Sequence, residues 1–137
     1  MPSLAGDIER RVRSVLEAPS VKEAVASGRY WREVFLAAPV EGRVLEGFID
    51  LLYEDAAGEL VVVDYKTDGV RNETDADEAV TRYRVQGAAY ALAVSSSLGR
   101  PVSRCVFLFA NPTRWFEREL PDLEAASIEV AGLVASA

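Results

Sequence analysis

The sequence predicts an α/β domain in which helices flank a mixed five-stranded sheet. Three observations point there. Apolar residues recur at helical spacing near both ends and through a long central segment. Between these lie short runs rich in Val, Ile, Leu and aromatic residues, bounded by Gly, Pro and Asn. The order of signals is helices, three strands, a long helix, two strands and a helix, which a mixed sheet covered by helices accommodates economically.

Each element follows from its residues. Leu4, Ile8, Val12, Val15 and Leu16 fall near a 3.6-residue period, so residues 4–17 read as an amphipathic helix with Arg10, Arg11 and Arg13 on its wetter sides. Pro19 ends it. Ser20 is placed to cap a second helix that runs to about Ser27 and is closed by Gly28. Val34, Leu36 and Ala38 then alternate, giving a strand over 30–38 that Pro39 stops. Gly42 and Arg43 turn the chain into a second strand, Val44 to Tyr53. A third, Leu60 to Lys66, follows the turn at Gly58, so these three form an antiparallel meander. Ala79, Tyr83, Gln86, Ala89, Tyr90 and Ala93 mark a helix from Thr74 to Leu98, ended by Gly99 and Pro101. Val102 to Ala110 reads as a buried strand. Asn111-Pro112 turns, Trp115 to Leu120 is a short fifth strand, and Pro121 opens a last helix toward Val134. Trp31 and Cys105 read as core residues.

Composition narrows the chemistry. The chain has 137 residues, half of them hydrophobic and 27% charged, which suits one folded domain spanning 1–137. No apolar run approaches the length of a membrane helix, and the first residues lack the apolar core of a signal peptide, so a cytoplasmic location without membrane contact is expected. A single cysteine excludes an internal disulfide and a cysteine-rich zinc site. The absence of histidine excludes every histidine-dependent triad and histidine-ligated metal from within this chain. Acids outnumber bases 22 to 15, for a net charge of −7, the opposite of a free-standing nucleic-acid binder.

One constellation carries the chemistry: Glu46-Gly47-Phe48-Ile49-Asp50, then Val61-Val62-Val63-Asp64-Tyr65-Lys66-Thr67. Residues i and i+2 of a strand share a face, so Asp64 and Lys66 project together where the apolar run leaves the core. Asp50, near the end of the adjacent antiparallel strand, can come beside Asp64. Two close carboxylates repel unless something neutralises them, and oxygen-only ligands point to Mg²⁺ or Mn²⁺. Such a cation stabilises charge on a phosphate, with Lys66 placed to orient water or bind the scissile group. Each pair alone also fits a surface ion pair, and Asp50 a turn acid. Glu33, on the first strand of the meander, fits either a supporting acid of the same site or an exposed strand carboxylate. On the long helix, Tyr83, Gln86 and Tyr90 share a face at i, i+3 and i+7. The tyrosines fit a buried aromatic stripe; an amide within that stripe needs partners, which Lys66 or a phosphate oxygen would supply.

GFID with Asp50, VVDYKT with Asp64 and Lys66, and YRVQGAAY with Tyr83, Gln86 and Tyr90 together resemble the PD-(D/E)xK nucleases, specifically the RecB-like branch. The upstream RYWREVFLAAPV with Glu33 is similar to the strand preceding the first aspartate in that family. The likeness covers about residues 25–110 and is greatest to the nuclease domain of bacterial helicase–nucleases of the RecB and AddA type, which process DNA ends for recombination. It implies a restriction-endonuclease-like fold. It also implies metal binding by Asp50, Asp64 and the backbone carbonyl of Tyr65, and catalysis by Lys66. Gln86 and Tyr90, with Tyr83 and Arg82 on the same helix, are then expected to hold DNA or the lysine. The implied partners are DNA and helicase motor domains of the same polypeptide or complex. Members of this branch usually add a metal-ligating histidine upstream of the Glu33 region, so its absence here implies weaker metal binding and activity by this chain alone. A catalytically silent DNA-binding or assembly module is the alternative, and a plain interaction domain with solvated acids a third.

Overall fold

A computed structural model describes residues 3–137. One five-stranded sheet runs β1 (Tyr30–Val40), β2 (Arg43–Glu54), β3 (Leu60–Lys66), β4 (Val102–Ala110) and β5 (Trp115–Glu119), in that spatial order. All neighbours are antiparallel except β3 and β4, which are parallel and joined through a long helix. Four helices flank the sheet: α1 (Leu4–Glu17), α2 (Pro19–Ser27), α3 (Glu73–Leu98) and α4 (Leu123–Ser136). None of them is long and apolar enough to cross a membrane.

Two cores sandwich the sheet. On one face Ile49, Leu52, Leu60, Val62, Phe107 and Phe109 pack with α3 and α4 through Ala76, Ala79, Val94, Ala126 and Val130. On the other, Leu51, Tyr53, Val61, Val63 and Leu108 pack with Ala18, Val21 and Ala24 at and along α2. Burial on both faces explains why β3 reads as the unbroken run Leu-Val-Val-Val rather than as an alternation. Cys105 is fully buried in β4, as its apolar setting predicts, and burial pushes its thiol up to about 12.

Several sequence expectations are corrected. β1 runs through Pro39 to Val40, because β1 is an edge strand and one side of its backbone needs no ladder partner. Ser20 does not cap α2. Pro19 occupies the first helical position after Ala18, and the carboxylate of Glu117 on β5 accepts the Ser20 N–H at 3.0 Å. α4 begins after Pro121: Asp122, with φ 49°, accepts the Ala125 N–H at 3.2 Å and caps the helix. Trp31 is half exposed rather than core. The apolar stripe of α1 is also uncovered. Leu4, Ile8, Val12 and Leu16 face solvent, while Ser14 is buried and Val15 packs on the α2-side core, so the helix docks along another edge of its surface.

The meander also twists out of simple alternation. Ile49 and Leu52 belong to the α3-side core while Leu51 and Tyr53 belong to the α2 side, so the facing of β2 shifts by one residue at Asp50. In β1 the matching position is Glu33, which has φ 55° and interrupts the pairing between Arg32–Leu51 and Val34–Ile49. A non-glycine residue in the left-handed region costs about 1 kcal/mol. The kink lies in β1 and β2, at the level of Asp50.

Candidate nuclease site

The site is built at a fork. Strands β2 and β3 pair from Leu51–Val63 to Glu54–Leu60 and then part. The next positions along that register are Asp50 and Asp64. Rather than continuing the ladder, the Asp50 carboxylate takes over a ladder partner's role: its Oδ2 accepts the Tyr65 N–H at 2.7 Å. Asp64 sits beyond the run Leu60–Val63, buried at 5% exposure, and faces α3 together with Lys66. Thus Asp50, Asp64 and Lys66 come together where β2 and β3 part, in the middle of the sheet.

The electrostatics of this cluster are unbalanced. Burial pushes the Asp64 carboxyl up to about 6, against the pull of the Lys66 ammonium, and the neighbouring Asp50 carboxylate raises it further. Lys66 Nζ lies 2.9 Å from Asp64 Oδ2. That approach is off the direction of a hydrogen bond, so the buried oxygen is charge-compensated but accepts none. A buried carboxylate oxygen with unused lone pairs beside a second carboxylate is a hard-oxygen donor set. It fits Mg²⁺ or Mn²⁺, which take one or two carboxylates and fill their remaining positions with water and phosphate oxygens. Among the described residues no cluster of three His, Cys, Asp or Glu side chains supplies a fuller cage.

Helix α3 closes over Lys66. Gln86 Oε1 accepts from Lys66 Nζ, and Gln86 Nε2 donates to the Tyr90 hydroxyl at 3.2 Å. Lys66 Nζ also lies 3.9 Å from the centre of the Tyr83 ring, a cation–π arrangement. Of the stripe Tyr83, Gln86 and Tyr90, the first two touch the lysine and Tyr90 reaches it only through Gln86. Gln86, however, is exposed rather than buried, and its partners are lysine and tyrosine at the rim. The approach of α3 to the sheet depends on Gly87. A Cβ there would stand 2.6 Å from Phe107 Cζ and 3.0 Å from Cys105 Sγ.

Glu33 lies apart from this cluster. It is exposed, makes no side-chain hydrogen bond or ion pair among the described residues, and shares with Asp50 a cleft of about 760 Å³ on the α1–α2 side. Tyr30, Arg32 and Tyr65 line the same cleft. Burial raises the Tyr65 phenol above its ordinary value, with Asp50 adding to the effect. Arg82 and Tyr83 both reach Asp68, whose Oδ2 accepts from Arg82 at 3.1 Å and Oδ1 from the Tyr83 hydroxyl at 2.6 Å. The sequence reading missed Asp68, Arg32 and Tyr30. Asp68 follows Lys66 by two residues, but its value comes from a partner 15 positions later, which local spacing does not show.

The chain is similar to known proteins in sequence and in fold. Residues 2–131 match the PD-(D/E)XK nuclease superfamily. An ATP-dependent helicase/nuclease protein from Desulforamulus reducens is 37% identical over 103 residues, covering 71% of this chain and 8% of that protein. Another ATP-dependent helicase/nuclease protein, from Lysinibacillus sphaericus, is 36% identical over 77 residues, covering 52% of this chain and 6% of the relative. The chain therefore spans less than a tenth of the length of these curated relatives. The crystal structure of a candidate exonuclease from Eubacterium rectale superimposes with a TM-score of 0.61 at 17% identity, covering 94% of this chain and 48% of that one, which shows a common restriction-endonuclease-like fold. With the family match across nearly its whole length, the chain belongs to the PD-(D/E)XK nuclease superfamily and is RecB-like within it.

Proposed function

We propose that this chain is a divalent-cation-dependent deoxyribonuclease domain. It hydrolyses DNA phosphodiesters as the nuclease module of an ATP-dependent helicase–nuclease in DNA end processing and recombinational repair. The observation that carries this reading is the meeting of Asp50, Asp64 and Lys66 at one fork in the sheet. Asp50 and Asp64, with the main-chain carbonyl of Tyr65, would hold Mg²⁺ or Mn²⁺. When bound, such a cation supplies Lewis-acid charge for phosphoryl transfer.

The protein's own groups do the rest. Lys66 presents an ammonium at the rim of the site, steered by Asp64, Gln86 and Tyr83, where it can orient the attacking water or contact the scissile phosphate. Gln86 and Tyr90 form the lip beside it and supply polar contacts to the strand backbone. Arg82 keeps an exposed guanidinium one turn away for a neighbouring phosphate. Glu33 lines the cleft on the opposite side of Asp50 and acts as a supporting acid. The net charge of −7 suits a module to which a motor delivers DNA, with helicase domains as partners and the cytoplasm as location.

The test is cleavage of end-labelled single-stranded DNA with Mn²⁺ or Mg²⁺. Cleavage lost in both Asp64→Ala and Lys66→Ala is the expected result; unchanged cleavage in those variants refutes the assignment. A second reading is favoured by the sparse donor set, two carboxylates and no histidine: a catalytically silent DNA-binding or assembly module. Calorimetric titration with Mn²⁺ separates the two, because the silent module takes up no cation at Asp50 and Asp64.

A further inference from the structure

Lys66 is held by groups that are themselves held. Three kinds of partner surround its ammonium: the Asp64 carboxylate, the Gln86 carbonyl oxygen and the face of the Tyr83 ring. The ring is oriented in turn, because its hydroxyl donates to Asp68 Oδ1 at 2.6 Å. The other Asp68 oxygen accepts from Arg82 at 3.1 Å. The segment carrying Asp68 is anchored as well: Val70 is buried, its N–H donates to the Asp68 carbonyl at 2.8 Å, and its own carbonyl accepts from Asn111 Nδ2 at 3.1 Å.

We infer that Asp68 is a positioning residue that acts through Tyr83 to fix the Lys66 ammonium at the mouth of the site. This rests on the nuclease reading for its catalytic consequence, though not for its structural one. Two effects act together. The charged hydrogen bond locks the ring in place, leaving its face toward Lys66. Donation to a carboxylate also enriches the ring's electron density, which strengthens its attraction for a cation. The Tyr83 phenol is accordingly raised above its ordinary value, chiefly by the bond to Asp68. The chain thus places a carboxylate on either side of its catalytic lysine: Asp64 touches the ammonium directly, and Asp68 reaches it through an aromatic ring.

The chain has two lysines, Lys22 and Lys66, which makes a direct test possible. Lys22 pairs with Glu17 on the exposed surface and serves as an internal reference. The metal-free protein is acetylated to low conversion with an N-hydroxysuccinimide ester, and the Lys66/Lys22 ratio is read by peptide mass spectrometry. Asp68→Ala and Tyr83→Phe should each raise that ratio at least threefold, while Asp68→Asn, which keeps an acceptor, should stay nearer the parent. In cleavage, Asp68→Ala and Tyr83→Phe should each lower kcat about tenfold with KM changed less than twofold, the scale of losing an outer support to a catalytic group. The double variant should be no worse than the more impaired single one. A residue that merely ties the loop down would lower the melting temperature and leave the labelling ratio alone. An unchanged ratio in both Asp68→Ala and Tyr83→Phe overturns the inference. A parent protein that cleaves no DNA defeats the nuclease reading instead, and the labelling ratio still decides the role of Asp68.

Discussion

Asp50 and Tyr65 are joined across the point where two paired strands separate: the Asp50 carboxylate accepts the Tyr65 N–H at 2.7 Å where a ladder carbonyl would otherwise stand. One side chain therefore ends a strand pair and supplies a candidate ligand. The backbone donor has a partner only while Asp50 retains an acceptor oxygen.

That double role separates two substitutions. Asp50→Asn keeps an acceptor for the Tyr65 N–H but removes the charge that a hard cation requires. It should unfold within about 0.5 kcal/mol of the parent while losing at least about a hundredfold in cleavage. Asp50→Ala should lose the same activity and, in addition, about 1–2 kcal/mol of stability from the orphaned N–H. Urea melts alongside cleavage rates give both numbers. Equal stability of the two variants would show that the bond to Tyr65 is not holding the fork.

The raised Asp64 carboxyl makes stability and cation binding depend on pH in opposite senses. Its value of about 6 lies above that of an unfolded aspartate, about 3.9, so the folded state binds the proton more tightly. The resulting stabilisation is complete below about pH 4 and is lost as pH rises through about 6. It amounts to about 1–3 kcal/mol. Mn²⁺ competes with that same proton, so its affinity should fall about tenfold per pH unit below about 6 and level off above. Isothermal titrations between about pH 5 and 8 test this, and Asp64→Asn should abolish the pH slope in the metal-free melts. A flat affinity profile across that range would be incompatible with Asp64 as a ligand.

Lys66 compensates a carboxylate that is almost wholly buried, so its removal should be felt more at high pH than at low. Lys66→Met leaves Asp64 charged and unpaired at about pH 8, where the loss should be about 1–3 kcal/mol. At about pH 5 Asp64 is protonated in the fold and most of that loss should disappear. Cleavage should be absent at both values, even where the variant is as stable as the parent. Thermal melts at the two pH values suffice, and a pH-independent loss would mean that the 2.9 Å ion pair contributes nothing.

Much of this fold is legible along the chain, because local physics and tertiary structure agree there. The run Leu60–Val63 is apolar on every residue since both sheet faces are covered, and the motif that follows it emerges where burial ends. Asp64 and Lys66 share a face by the two-residue period alone. The misses have tertiary causes. The alternation in β1 and β2 fails at Glu33 and Asp50, where a left-handed residue rotates one strand and paired backbone carries the change to the next. A one-residue change in facing is enough to leave Trp31 half exposed. The cap of α2 comes from Glu117, 97 positions away, and the support of Tyr83 from Asp68 in a loop. Neither contact has a local signature, because each depends on how distant segments meet.

Gly87 shows how a residue with no chemistry of its own governs the site. It lies next to Gln86 in α3 and lets the helix approach Phe107 and Cys105, both fully buried in β4. An added methyl would meet a ring atom at 2.6 Å, and that ring is enclosed by core on all sides, so the helix must move instead. Gly87→Ala gains about 1 kcal/mol in helix propensity, yet overpacking of about 1–3 kcal/mol should leave a net loss of stability. The displaced helix carries Gln86 and Tyr83 away from Lys66, and a shift of about 1 Å at a positioning group can lower turnover about a hundredfold. Cleavage should therefore fall by more than the stability change explains, with the Lys66/Lys22 labelling ratio rising in parallel. Restoring room with Gly87→Ala/Phe107→Leu should recover part of both. A Gly87→Ala variant that is more stable than the parent and fully active would show that α3 has slack over β4 and that the site does not depend on their close approach.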